Sequence, residues 1–467
     1  MKNETLLTGK FVAETLGTEW RGGNAPEGIA GAAIDTRRIA AGEIFVAIRT
    51  ESRDGHDFLA AARERGAAGA LVSRFVPEVA LPQLVVPDTV AALQRLAAEH
   101  RRRNCGNVRV FGVTGSVGKT STKDLLARLL SRAGAALATE KNLNNTLGVP
   151  LTLLKIDPAA HDFAVIEAGM SVPGELGRSA EMIAPDVALV TNVKPAHLEG
   201  LGSMENIARE KAELPARRAR GGRAFFWADL LRYESFRALS ASGDATVLSL
   251  SENSGERNFS GGSVPVSLRE RADGFEIGVP GGTFFARGVS RGLAENAALA
   301  VCAVADRVPA EKIREALDGW KPSANRGEVR ERADGAGEIF VDCYNASPAS
   351  MLDSARAFAK RFPARAGTPR LFVLGGMGEL GADSERLHRE VGESLPLDAA
   401  TDVLALFGGN APRIGEGAVA RGFPRERVRV FSDIDALREC VAAFRGNAMI
   451  KGSRAFALER AIPETRG

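Results

Sequence analysis

The stretch Gly112-Val113-Thr114-Gly115-Ser116-Val117-Gly118-Lys119-Thr120-Ser121 decides the fold of the middle of this chain. The apolar run 108–111 before it is typical of a buried strand, and the leucine spacing of 123–130 after it is typical of a helix. A glycine-rich turn between a strand and a helix is the setting that a phosphate-binding loop requires. Because glycine has no Cβ, backbone N–H groups can approach phosphate oxygens closely.

Two side chains of this loop are candidates for contact with a nucleoside triphosphate. We expect Lys119 to reach the terminal phosphates and the Thr120 hydroxyl to hold Mg²⁺. The strict motif is missed by one position, since Val113 stands where the first glycine belongs. The alternative is a glycine-rich turn that binds nothing, which the adjacent Lys-Thr-Ser disfavours. The loop predicts a nucleotide and leaves the reaction open.

Length and composition indicate a globular protein of several domains. The chain has 467 residues, of which 45% are hydrophobic and 25% charged. Its formal net charge of +3 is too small to argue for nucleic acid or a membrane as a partner. The four cysteines have no paired spacing, which argues against a zinc site or disulfides and favours the cytoplasm. Residues 1–4 do not indicate a signal peptide, and no apolar run is long enough for a membrane span.

The order of predicted strands and helices divides the chain into three α/β parts. Residues 1–104 indicate a small mixed α/β domain, whose last helix ends in the arginines 101–103, which we expect to be solvated. Residues 105–324 alternate strands and helices around the phosphate loop, as in a central ATPase-type domain with a mostly parallel sheet. Residues 325–467 show a second doubly wound pattern, which predicts a C-terminal Rossmann-like domain.

Polar residues follow two buried strands of the middle part, at the edge where open α/β sheets bind ligands. Glu167 ends the strand predicted at 163–166, where an unpaired carboxylate is costly unless it meets a cation. Its alternative is an exposed loop acid. His197 follows the strand predicted at 187–190. A lone histidine is usually structural, and only its place at this edge makes it a candidate.

Other polar groups stay open on residue chemistry alone. The loop Asn142-Leu143-Asn144-Asn145 offers amide donors and acceptors to a substrate, or forms a turn cluster. Lys211 has the pattern of a surface helix lysine. Near the N-terminus, Asp35-Thr36-Arg37-Arg38 has the alternative of a solvated turn. The segment Asp54-Gly55-His56-Asp57-Phe58 has the alternative of a helix cap, with Asp57 near a predicted helix at 58–68.

Together these pieces resemble the Mur ligase family, the ATP-dependent amide-forming enzymes of peptidoglycan precursor synthesis, over nearly the whole chain. Four motifs occur in the order and rough spacing of the family: the T-G-S-x-G-K-T loop, Glu167-Ala168-Gly169-Met170, Ala196-His197-Leu198-Glu199-Gly200 and Lys211-Ala212-Glu213. Within the family, the chain is most similar to the member that joins D-alanyl-D-alanine to UDP-N-acetylmuramoyl-tripeptide. The segments that carry this finer match include 35–37, 54–58, 142–150, 344–348, 377–381 with His388, and 451–454.

The resemblance implies a role for individual residues. The residues it assigns to ATP are Thr114, Gly115, Ser116, Val117, Gly118, Lys119, Thr120, Ser121, Asn296, Arg326 and Asp342. Those it assigns to Mg²⁺ are Thr120 and Glu167 at a first ion and His197 and Lys211 at a second, with Lys211 carbamylated. Lys119, His197 and Lys211 would be catalytic. The residues it assigns to the substrates are Asp35, Thr36, Arg37, Asn142, Asn144, Asn145, Tyr344 and Asn345.

Three positions depart from the family pattern. Gly292-Leu293 stands where the family has His-Asn, Gly376 where Asp is usual, and Ser347 where Asn is usual. These departures bear on the incoming amine more than on the type of reaction. The alternatives are therefore a sister ligase that adds another amino acid and, from a different class, a nucleotide-switched binding protein. The partners expected are small molecules, with the protein a monomer.

Overall fold

The computed structural model describes residues 7–251, 263–321, 323–365 and 367–466. Within these ranges the strands form three sheets, in agreement with the predicted α/β fold class. The expectation about a signal peptide concerns residues 1–4, which lie outside the described residues. No helix in the described ranges is long and apolar enough to cross a membrane.

The first sheet has the strand order β1-β5-β4-β3-β2 and is parallel except for the pairing of β1 with β5. Its strands are β1 Trp20–Arg21, β2 Ala32–Ala33, β3 Ile44–Val46, β4 Gly69–Val72 and β5 Gln83–Val85. Its helices are α1 Gly9–Leu16, α2 Leu59–Glu64 and α3 Thr89–Asn104. Asp88 begins α3, because its Oδ1 accepts the backbone N–H groups of Val90 and Ala91.

The second sheet has nine strands in the order β14-β13-β12-β11-β10-β9-β6-β8-β7, and only β12, β13 and β14 pair antiparallel. Its strands are β6 Arg109–Thr114, β7 Ala136–Ala138, β8 Phe163–Glu167, β9 Val187–Val190, β10 Arg223–Trp227, β11 Ala245–Leu250, β12 Val264–Arg271, β13 Gly274–Val279 and β14 Gly282–Arg287. Its helices are α4 Lys119–Leu130, α5 Gly148–Leu153, α6 Glu175–Ile183, α7 Leu198–Leu201, α8 Met204–Ala216, α9 Glu234–Ala241, α10 Arg291–Val304 and α11 Ala310–Asp318. The strand β6, which leads into the phosphate loop, lies between β8 and β9, so the residues that follow all three strands meet at one edge.

The third sheet has the order β15-β16-β20-β17-β18-β19 and is parallel apart from the pairing of β15 with β16. Its strands are β15 Glu328–Glu331, β16 Glu338–Val341, β17 Arg370–Gly375, β18 Asp402–Phe407, β19 Val428–Phe431 and β20 Asn447–Lys451. Its helices are α12 Pro348–Arg361, α13 Ser384–Ser394, α14 Ala411–Ala420 and α15 Ile434–Ala443.

One local expectation was wrong. The helix expected at 58–68 spans only Leu59–Glu64, because Gly66 has a φ of +84° and the chain leaves the helix there. A 3₁₀ turn, Gly55–Phe58, precedes this helix; Asp54 caps it and Asp57 lies in its first turn, in agreement with the helix-cap alternative.

The arginines 101–103 are not all solvated, which corrects the expectation for the end of α3. Arg101 is buried, and its guanidinium donates to the Asp186 carboxylate over 2.9 Å. The same guanidinium donates to the backbone carbonyls of Cys105, Ile183 and Ala184. Arg101 therefore links helix α3 to the segment 183–186, which leads into β9 of the central sheet.

Candidate active site

The phosphate loop joins β6 to α4 and is held in shape by residues that follow β9. Gly118 precedes the first helical residue, Lys119, with a φ of +85°, a left-handed conformation that glycine adopts without strain. A Cβ at Gly118 would collide with Nδ2 of Asn296, so a larger residue would have to displace that side chain. The backbone N–H of Val117 donates to Oδ1 of Asn192 over 3.0 Å. The loop thus places the N-terminus of α4 where its backbone N–H groups can bind phosphate.

Lys119 and Thr120 lie where the unit built on the second sheet (the central unit) meets the unit built on the third sheet (the C-terminal unit). The ammonium of Lys119 donates to the carbonyl of Gly115 over 2.9 Å, within the loop itself. Burial lowers the pKa of Lys119. The Thr120 hydroxyl accepts a hydrogen bond from Nη2 of Arg326 over 3.1 Å. The C-terminal unit therefore adds a cation directly beside the loop.

Glu167 fits a cation. This last residue of β8 is fully buried, and its Oε1 accepts a hydrogen bond from Nδ2 of Asn144 over 2.7 Å. Its Oε2 has no hydrogen-bond partner among the described residues. Such an oxygen is costly to bury, and it is the hard ligand that Mg²⁺ prefers. The described ranges contain no group of three or more His, Cys, Asp or Glu side chains placed to hold a metal ion.

Lys211 is not the surface lysine that its sequence pattern suggests. The side chain lies on α8 and is only 1% exposed. Burial holds the pKa of Lys211 well below its usual value, and the positive charge of Lys119 lowers this pKa further. A larger share of the amine is therefore neutral, which is the form that reacts with carbon dioxide to give a carbamate.

His197 is held by a residue of the C-terminal unit. It has a φ of +58° and precedes the short helix α7. Its Nδ1 is in ion-pair contact with Oε2 of Glu379. The nearby His197 ring lowers the pKa of the Glu379 carboxyl. Glu379 lies in the sequence motif 377–381, but local sequence gives this glutamate no indication of a partner.

The C-terminal unit contributes a group of charged and aromatic side chains. The guanidinium of Arg326 stacks 4.0 Å from the ring centre of Tyr344. Asp342 forms an ion pair with the buried Lys451 over 2.6 Å, and it also accepts a hydrogen bond from Ser354. In the sequence Lys451 stands out only as part of a motif, because nothing local to it indicates a partner in Asp342, just after β16.

These side chains surround one cavity of about 840 Å³ between the central and C-terminal units. The predicted site residues that line it are Ser116, Val117, Gly118, Lys119, Thr120, Ser121, Asn144, Asn145, Glu167, His197, Asn296, Arg326, Asp342, Tyr344 and Asn345. The predicted site residues that do not line it are Asp35, Thr36, Arg37, Thr114, Gly115, Asn142 and Lys211. The structure thus brings most of the nucleotide and metal candidates to one cavity, leaves Thr114, Gly115 and Lys211 outside its lining, and keeps the N-terminal candidates apart.

The N-terminal candidates form a separate polar patch. Asp35 and Arg37 pair with each other on the surface, with Nη2 of Arg37 2.7 Å from the carboxylate. The hydrogen bond from Arg37 lowers the pKa of Asp35 to about 2. The neighbouring Arg38 lies 3.9 Å from Glu140, which precedes the amide-rich loop. Within that loop, Oδ1 of Asn145 accepts the backbone N–H of Gly148 over 2.8 Å at the start of α5.

The fold and the site define a class: a three-part α/β protein with a phosphate-binding loop at the edge of its central sheet. Comparison with known proteins then gives the family. Residues 113–304 match the Mur ligase middle domain, and residues 325–451 match the family described as Mur ligase, glutamate ligase domain. The UDP-N-acetylmuramoyl-tripeptide–D-alanyl-D-alanine ligase of Escherichia coli (strain K12) is 34% identical over 432 residues, which are 92% of either chain. The chain belongs to the Mur ligase family.

Solved structures agree with this family over the whole architecture. A crystal structure of MurF from Acinetobacter baumannii matches with a TM-score of 0.80 and 28% identity, covering 97% of both chains. The MurF ligase of Thermotoga maritima, solved in complex with ADP, matches with a TM-score of 0.74 and 26% identity. That match covers 92% of this chain and 96% of the other.

Proposed function

We propose that this protein is an ATP-dependent ligase that joins D-alanyl-D-alanine to UDP-N-acetylmuramoyl-tripeptide in peptidoglycan precursor synthesis. The observation that carries the proposal is the single cavity in which the phosphate loop, the buried Glu167 and the C-terminal Arg326 converge. The similarity to the ligase of Escherichia coli supports the same reaction.

The reaction joins a carboxylate to an amine in two steps. The terminal carboxylate of the tripeptide attacks the γ-phosphorus of ATP, the bond to the β-phosphate oxygen breaks, and ADP leaves. The dipeptide amine then attacks the resulting acyl phosphate, and the tetrahedral intermediate expels phosphate and loses a proton to give the amide. Because an acyl phosphate hydrolyses readily, the site must exclude water during both steps.

The residues of the cavity have distinct tasks in this scheme. Lys119 and Arg326 offset the negative charge that spreads over the phosphoryl oxygens. Thr120 and Glu167 would hold a first Mg²⁺, and His197 and Lys211 a second, with Lys211 as its carbamate. When bound, Mg²⁺ polarises the transferred phosphoryl group as a Lewis acid. Carbamylation would replace a buried amine by an anion with hard oxygen ligands, which would give the lysine a role at this position.

Each of the three units receives one part of the task. Residues 1–104 would bind the UDP-linked substrate, residues 105–324 would bind ATP, and residues 325–467 would bind the dipeptide. The exposed pair of Asp35 and Arg37 supports the first assignment, since it offers charge to a polar ligand away from the phosphate loop. We expect Asp35→Ala and Arg37→Ala to raise the KM for the UDP-linked substrate. A selective rise in the KM for ATP would contradict this assignment.

A phosphate-release assay tests the reaction. We expect phosphate to appear only when ATP, Mg²⁺, UDP-N-acetylmuramoyl-tripeptide and D-alanyl-D-alanine are all present, in a ratio of one phosphate to one amide. Release with a different amino acid in place of the dipeptide would identify a sister ligase. Nucleotide binding without turnover, accompanied by altered binding of another molecule, would identify a nucleotide-switched protein. Light scattering on the same sample checks the expected monomer.

Lys119→Ala tests the phosphate loop. We expect it to abolish turnover while the thermal unfolding curve stays that of the wild type, because only the cation at the phosphates is lost. Lys312→Ala is the matched control, since Lys312 is exposed and pairs with Glu315 on the same helix. An active Lys119→Ala protein would contradict the role of the loop.

Lys211→Ala tests the carbamate. We expect most of the activity to be lost and short carboxylates to restore part of it by taking the vacated ligand position. Independently of activity, labelled bicarbonate should give a carbamate signal in NMR spectra of the wild type and none in spectra of the variant. Full activity in the alanine variant would contradict this role.

A further inference from the structure

The turn after β17 brings the C-terminal unit into contact with His197. The backbone carbonyl of Glu379 accepts the N–H of Glu199 over 3.3 Å, and the Glu379 carboxylate contacts Nδ1 of His197. At Gly381 a Cβ would lie 3.2 Å from Cα of Glu199, so the two backbones nearly touch. The contact between these units is therefore made by main chain and side chain together.

Both members of the side-chain pair have an unusual backbone. His197 has a φ of +58° and Glu379 a φ of +59°, although neither is glycine. Left-handed conformations are unfavourable for such residues and persist where the surrounding structure holds them, most often at functional sites. Here each strained residue is the neighbour of the other across the joint. An incidental surface ion pair would give no reason for strain on both sides.

The chemistry of histidine gives this pair a consequence. Among the described residues, Nδ1 of His197 is buried beside the Glu379 carboxylate without an aligned hydrogen bond, so its N–H donates only once the two groups align. Nε2 is then the unprotonated nitrogen and the ring orientation is fixed. A histidine that binds a metal or a phosphoryl group commonly depends on such a carboxylate partner. His197 is only 17% exposed on its side chain, whereas the Glu379 side chain is 54% exposed and lines the cavity. The glutamate is thus the movable partner, because it arrives with the C-terminal unit.

We propose that Glu379 is a positioning residue of the ligase reaction, which fixes the tautomer and orientation of His197 when the C-terminal unit docks. This inference rests on the proposed function. It makes the competence of the phosphate site depend on docking, since His197 lacks its partner when the units separate. ATP would then be activated only when the unit that binds the amine is in place, which limits loss of the acyl phosphate to water.

A double-mutant cycle tests whether Glu379 acts through His197. We expect Glu379→Ala to lower kcat about 10- to 100-fold, with an unchanged KM for the UDP-linked substrate and a higher Mg²⁺ concentration for half-activation. In a His197→Ala background the same change should cost nothing further. Losses that multiply would overturn the proposal. Glu390→Gln is the control, because Glu390 is an exposed glutamate on α13 that pairs with Arg386.

Two further variants separate the carboxylate from the backbone strain. Glu379→Gln keeps an oxygen that can accept the Nδ1–H, so we expect it to recover part of the loss seen in Glu379→Ala. Glu379→Gly relieves the positive φ but supplies no acceptor, so we expect it to be as impaired as Glu379→Ala. Wild-type activity in the glycine variant would show that strain alone matters and would overturn the proposal.

NMR on protein with isotope-labelled histidine gives a readout that needs no turnover. We expect the His197 ring to be protonated at Nδ1 in the wild type and to lose that preference in Glu379→Ala. An unchanged His197 signal would overturn the proposal. If the wild type shows no ligase activity, the proposed function fails. If the wild type is active and Glu379→Ala leaves kcat unchanged, this inference alone fails.

Discussion

The central unit meets its two neighbours through joints of opposite character. Toward the N-terminus, one hydrophobic core contains buried residues of both units, from Phe11 and Leu96 to Ile183 and Leu214. Helix α3 packs on α1 and also on α5 and α6, so it belongs to both. Toward the C-terminus the third sheet has its own cores, to which the central unit adds the partly buried Leu198.

The C-terminal joint is made of polar contacts instead. Examples that cross it are Arg326 with Thr120, Gly292 with Asp353, and Lys360 with Glu270. Half-exposed polar pairs exchange readily with water and contribute little net stability, whereas a shared apolar core resists separation. We therefore expect the first two units to move as one body and the third to dock reversibly over the cavity. Reversible docking suits a site that must admit substrates and then exclude water.

Two matched leucine-to-alanine substitutions should have the largest effect on the free energy of unfolding. Leu96→Ala should lower the free energy of unfolding by about 4 kcal/mol, because it leaves a cavity in the shared core. Hydrogen exchange should then rise in residues on both sides of the N-terminal joint. Leu404→Ala, in the core of the third sheet, should raise exchange in the C-terminal unit alone. If Leu96→Ala raised hydrogen exchange in the N-terminal unit alone, the two units would not share one core as described.

Arg101→Ala should have the next largest effect. We expect it to lower the free energy of unfolding by about 3 kcal/mol, because it leaves buried carbonyls and a carboxylate without their donor. Urea unfolding followed by circular dichroism measures the change. Arg102→Ala is the control: Arg102 is exposed on the same helix and pairs with Glu99, so its loss should cost about 0.5 kcal/mol or less. Equal effects of the two variants would mean that Arg101 does not fasten the joint.

Lys360→Ala probes the opposite joint and should change the free energy of unfolding by less than about 1 kcal/mol. Its ammonium lies 2.7 Å from both Glu270 and the carbonyl of Arg271, but the pair is exposed and screened by salt. The same urea titration at low and high salt provides the test. A loss as large as that of Arg101→Ala would show that the C-terminal joint is not the weaker one.

The smallest expected effect concerns the surface pair of Asp35 and Arg37. Arg37 lowers the pKa of Asp35 from 3.8 to about 2, so the pair stabilises the fold above pH 3.8 and this contribution is lost as the pH falls toward 2. Arg37→Ala should therefore return the pKa of Asp35 toward 3.8, as followed by NMR titration. Global stability at neutral pH should hardly change, since the pair is exposed. An unmoved Asp35 pKa would rule out the pairing.

Local sequence patterns determined the elements closely. The strand predicted at 187–190 spans Val187–Val190, and that predicted at 163–166 spans Phe163–Glu167. The α/β class and the family followed from the phosphate loop and the order of the later motifs. Such features depend on residues within one element or one turn, where periodicity and glycine chemistry act directly. The helix expected at 58–68 failed for a local reason too, because Gly66 ends it early.

Tertiary structure alone decided which side chains are buried and which meet across the joints. Lys211 and Arg101 have the sequence pattern of surface residues, yet both are buried, because the elements that cover them come from distant parts of the chain. The pairing of His197 with Glu379 likewise joins two units that no local pattern links. The sequence by itself determined the loop, the elements and the family. The packing of those elements determined which cations and carboxylates come together at the cavity and which residues meet across the joints.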